Sequence, residues 1–98
     1  MSRFRFRECV AQDGKFSQNI EQDVFQLYEE ALQQKMDKFQ TQAFLKEEIQ
    51  KKYGGNFQFK RTTEKYVTQM RMLKAYANYK MEDPWYLQIE ENFDGNEE

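Results

Sequence analysis

A chain of 98 residues makes one domain that buries only about 60 to 65% of the surface its unfolded form exposes, so the core is thin. Charged residues make up 33% and mean hydropathy is −1.08, yet aromatics reach 16%, which separates a folded polar domain from a disordered chain. A formal net charge of −2 gives no field to recruit nucleic acid, and the absence of histidine removes the usual zinc ligand and the usual neutral-pH general base. No metal or other cofactor is expected.

Cys9 is the single cysteine, so a disulfide-stapled secreted scaffold is excluded and a reducing compartment is the simplest reading. No apolar run approaches the roughly 18 residues of a membrane span, and the N-terminus lacks the apolar centre of a secretory signal. The basic start Arg3 to Arg7 leaves import into an organelle as an alternative.

From Arg3 to Val10 the pattern alternates, with Phe4, Phe6 and Val10 on one side and Arg3, Arg5, Arg7 and Cys9 on the other, which predicts a half-buried strand. Two readings of these arginines stand, a site for phosphate or an anionic surface and, the favoured one, a guard that keeps a sheet edge from aggregating. Gln12-Asp13-Gly14-Lys15 supplies turn chemistry. Ser17 or Asn19 then caps a helix whose face, Ile20, Val24, Leu27, Tyr28 and Ala31, recurs at three- and four-residue steps up to about Gln34. Phe25 and Leu32 form a neighbouring stripe and predict contact on two sides.

Periodicity falters between Lys35 and Thr41, and Asp37 offers a cap for a second helix running to Tyr53. One unbroken helix from Asn19 to Tyr53 is the alternative; its length in so small a domain favours two helices with a break near Met36 and Asp37. Gly54-Gly55 supplies the left-handed exit, after which Phe57 and Phe59 alternate with Gln58 and Lys60 as in a strand.

Periodicity leaves residues 62–81 open between strand and helix. Leu73, Ala75, Ala77, Tyr79 and Met81 alternate, but Tyr66, Met70, Leu73 and Ala77 also fit a helix. Glu82-Asp83-Pro84 is a turn, and Trp85 to Ile89 a final strand with Trp85, Leu87 and Ile89 inward. The domain is expected over residues 1–90, followed by an acidic tail, 91–98, expected to stay mobile.

Catalytic chemistry has little to stand on. Glu29-Glu30 and Glu90-Glu91 are sequence neighbours that point apart, and Cys9 has neither a base nor a resolving cysteine beside it. No enzyme is expected.

The order of elements, together with IEQDV at Ile20 to Val24, EAL at Glu30 to Leu32, MDK at Met36 to Lys38, FLKEEIQKKYGGNF at Phe44 to Phe57 and YVT at Tyr66 to Thr68, resembles the eight-kilodalton dynein light chain family. LKAYANY and WYLQI stand where that family has its last two strands, Phe57 where it has a tryptophan, and Lys60 to Lys65 lacks the family's turn glycine. The resemblance implies an α+β fold: an N-terminal strand, two helices, then an antiparallel sheet of three to four strands. It also implies a non-enzymatic dimerisation and scaffold subunit of a dynein motor or similar assembly in the cytoplasm, cytoskeleton or cilium.

Such a subunit pairs with itself or a related light chain, a strand near Tyr66 crossing to the partner. Extended segments of larger chains, such as dynein intermediate chains, then dock by strand addition. By that resemblance Tyr66, Val67 and Thr68 form the docking strand, Asp37 and Lys38 read a polar peptide side chain, and Tyr76 lies on the neighbouring strand. The competing expectation is an all-α accessory subunit of a large stable complex, with the mitochondrion as the alternative location and Thr62 to Lys80 helical.

Overall fold

The computed structural model describes residues 8–65 and 73–93. In chain order they form β1 (Glu8–Gly14), α1 (Glu21–Gln33), α2 (Lys38–Tyr53), β2 (Phe57–Thr62), β3 (Ala75–Lys80) and β4 (Tyr86–Glu91). The four strands make one antiparallel sheet in the order β1-β3-β4-β2. The fold is α+β. The all-α alternative fails because alternation wins over alanine's helix propensity at Ala75 and Ala77, which lie on a sheet face 1% and 0% exposed. A helix from Thr62 is likewise overturned, since Thr62 ends β2.

The helices cover one sheet face. Ile20, Val24, Tyr28 and Ala31 of the first helical face are fully buried, Leu27 half-buried, as the spacing requires. Phe25 meets Tyr79 edge-on at 4.9 Å between ring centres, and Leu32 packs against the same cluster, which accounts for the second stripe. From α2 come Leu45 and Ile49, and from the sheet Phe57, Phe59, Ala75, Ala77, Tyr79, Leu87 and Ile89.

Two start signals differ from expectation. Neither Ser17 nor Asn19 caps α1: Ile20 holds the N-cap position without a side-chain bond, while Ser17 gives its N–H and hydroxyl to the Glu91 carboxylate at 2.8 and 2.7 Å. A buried carboxylate needs donors, and that need outweighs the cap. β1 continues through Gln12 and Asp13 to Gly14, past the expected turn, with a bulge between Cys9 and Ala11 that resets the alternation. Only glycine suits position 14: its φ is 75°, and a Cβ there would stand 2.5 Å from the Lys74 carbonyl oxygen. Residues 3–7 of the expected strand lie outside the described residues.

The break between helices falls where expected. α1 ends in a Schellman motif, Met36 N–H to Ala31 O and Lys35 N–H to Leu32 O, with Lys35 at φ 59° in the left-handed position glycine usually takes. Asp37 then opens α2 with a reciprocal capping box: its carboxylate accepts from Gln40 N–H at 2.7 Å, and the Gln40 side chain accepts from Asp37 N–H at 3.0 Å.

The second half follows the strand reading. β4 runs Tyr86 to Glu91, so Trp85 precedes it and is half-buried, while Leu87 and Ile89 point inward. Glu91, where the acidic tail is expected to begin, closes β4 and is 4% exposed. β2 and β3 both run antiparallel to β4 and therefore parallel to each other. The end of β2, opposite Tyr86, and the start of β3, opposite Glu91, lie at opposite ends of the sheet.

Candidate functional site

Strand order makes β2 one border of the sheet, and its hydrogen-bond parity decides which groups face outward. Asn92 N–H donates to Asn56 O at 2.9 Å, extending the β2–β4 ladder through alternate residues, so Gln58, Lys60 and Thr62 exchange bonds with β4. The Arg61 N–H points the other way, donating to Oε1 of Gln42 on α2 at 2.9 Å. By the same alternation, Phe57 and Phe59 turn their peptide groups to the outer edge. Among the described residues no strand pairs with that edge.

α2 forms the wall beside it. Gln42, Lys46 and Gln50 succeed one another at one-turn spacing along the edge. Lys46 Nζ reaches Gln58 Oε1 at 3.4 Å, and a 180 Å³ hollow is lined by Lys46, Gln50, Gly55, Asn56 and Phe57. At the start of the same helix, Phe39 is 68% exposed with the Lys38 ammonium 5.2 Å from its ring centre.

The opposite border behaves differently. β1 is bulged and ends at Gly14, interruptions that spoil a straight template for another strand. Cys9 lies there, exposed, its thiol near Ala11 O at 3.5 Å.

Behind β2, Arg61 is buried at 7% exposure. Its Nε donates to the Tyr28 hydroxyl at 2.8 Å, its Nη2 meets Glu82 Oε2 at 2.7 Å, and its guanidinium lies 4.1 Å from the Trp85 ring centre. Tyr28 in turn donates to Glu82 Oε1 at 2.9 Å. Burial pushes the Tyr28 hydroxyl far up from its usual range, so it stays a neutral donor. The cluster fixes the end of β2 to α1 and to the turn before β4. Sequence reading missed it, since Arg61 reads as one charge in a polar stretch and its partners are distant in the chain.

A second polar cluster joins the helices. Asp23 accepts from Lys52 Nζ at 2.6 Å and from the Tyr53 hydroxyl, and these bonds, Lys52 first, hold its carboxyl below the usual range. It borders an open cleft of 380 Å³ with Leu27, Glu30 and Glu48. Among the described residues no group of acidic, cysteine or histidine side chains could hold a metal ion, and no helix is long and apolar enough to cross a membrane.

The expected site residues divide. Asp37 is the α2 cap, and Lys38 the exposed first residue of that helix; the short α2–β2 link makes them antiparallel neighbours, so both stand near the Arg61 end of β2. Tyr76 does not join them. It is half-buried on β3, paired with Asp13 and Glu90, on the sheet face away from the helices. Tyr66, Val67 and Thr68 lie outside the described residues. Comparison with known proteins brings no family to this chain: no protein-family model matches it, and no curated protein does.

Proposed function

We propose that this chain is a non-enzymatic scaffold subunit that takes up extended segments of larger chains by strand addition along the outer edge of β2. The observation that supports this reading is the outward-facing peptide groups of Phe57 and Phe59 on a border strand flanked by α2. An added strand gains backbone hydrogen bonds at that edge, while side chains at alternate positions meet the helix wall. Pairing with a second copy or a related chain through a surface other than that edge doubles the site, so that one assembly clamps two copies of a longer polypeptide at raised effective concentration. Placement in a dynein motor or similar microtubule-based assembly, in the cytoskeleton or a cilium, and with dynein intermediate chains as the larger partners, rests on the resemblance in Ile20 to Phe57 and Tyr66 to Thr68.

Amide exchange resolved by residue tests it. An array of extended segments from motor intermediate chains is screened, and the tightest binder is added to the protein. Slowed exchange of the Phe57 and Phe59 amides is expected. Protection on the helices or at β1, with those two amides unchanged, would falsify strand addition at β2.

A further inference from the structure

We propose that the trough between β2 and α2 selects extended segments with acidic side chains at alternate positions, Lys46 reading the charge and Gln42 closing the far end. This deepens the strand-addition reading and rests on it. Lys46 is exposed, stands at the middle of the wall and, among the described residues, is the one charged side chain lining the hollow beside Phe57. Among the described residues its ammonium meets a neutral amide oxygen, Gln58 Oε1, at the 3.4 Å limit of a hydrogen bond. A carboxylate brought alongside by an added strand displaces that weak contact with a charge-assisted one.

The wall residues on either side, Gln42 and Gln50, are amides that neither repel nor neutralise such a segment. Charge complementarity therefore favours an acidic occupant over a basic one. Gln42 sets the register. Its amide oxygen already occupies the Arg61 N–H at 2.9 Å, the place the next ladder bond would form, so pairing uses Phe57 and Phe59 and stops there.

The test uses two blocked peptides, one alternating glutamate with threonine and its counterpart alternating lysine with threonine. Both are titrated into the full chain, with the Phe57, Phe59 and Arg61 amides followed by exchange. The glutamate peptide is expected to bind about tenfold more tightly and to protect Phe57 and Phe59, and Lys46→Glu, at an exposed site, to reverse the preference. In Gln42→Ala, peptide-dependent protection extends to Arg61.

Equal binding of the two peptides with Phe57 and Phe59 protected overturns the charge selection and leaves strand addition standing. An unchanged preference in Lys46→Glu overturns the role of that lysine. Tight binding without protection of the two amides, or no binding of either peptide at millimolar concentration, overturns strand addition and this inference together.

Discussion

Arg61 shows how a single charged side chain on an inward-facing position organises its surroundings. Its guanidinium is desolvated against Trp85 and Tyr28, and Glu82, one-third exposed, is the partner that makes this tolerable. Removing the acid leaves a buried cation with one neutral partner. Removing the cation leaves an acid near solvent that still accepts from the Tyr28 hydroxyl. Glu82→Ala is therefore expected to cost about 3 kcal/mol and Arg61→Met, which keeps the apolar stem, less than about 1.5 kcal/mol. Urea titrations of both variants check the order, and the reverse order would mean that the pair is not the organising interaction. This cluster was hidden in the sequence because charge in KRTTEK reads as solvent-facing, and only the parity of β2 turns Arg61 inward with Phe57 and Phe59.

At the level of elements, local chemistry carried most of the information. The three-and-four spacing from Ile20 to Ala31, the Asp37 start and the Gly54 exit each mark a boundary that short-range sterics decide. Strand order was out of reach, because β1-β3-β4-β2 depends on which edges meet across the sheet and no local pattern encodes it. Nor was the β1 bulge legible, as alternation through Val10 gives no sign of an added residue. The inner face of α2 was blurred by Thr41, which is fully buried with its hydroxyl returned to Asp37 O at 2.8 Å and so behaves as an apolar position. The break between helices offers a test of local sterics. Lys35 holds a left-handed conformation that costs a side-chain-bearing residue about 1 kcal/mol, partly offset in glycine by greater freedom in the unfolded chain. Lys35→Gly is expected to stabilise the protein by about 0.5 kcal/mol and raise the melting temperature by a few degrees. A lower melting temperature would show that the lysine stem contributes packing that outweighs its backbone strain.

For the whole molecule, the helical pair carries the chain from the β1 border to the β2 border, so the two ends of the sheet are finished in different ways. The bulge and Gly14 interrupt one, while the other runs straight from Phe57 to Thr62 beside a helix that carries the exposed Phe39. A second copy pairing through that straight border takes the place of an added segment, and such a pair would be held by peptide hydrogen bonds and apolar contact. With a net charge of only −2 per chain, long-range repulsion between copies is slight and screened beyond about 10 Å at 0.1 M salt. The dissociation constant of the pair, read by sedimentation equilibrium, is therefore expected to change less than about threefold between roughly 0.05 and 0.5 M salt. Binding of an acidic segment beside Lys46 adds an ion pair and weakens over the same range. A self-association that is lost at high salt would assign the contact to charged surfaces and not to the backbone edge, and would remove the basis for treating the two borders as one blocked and one open.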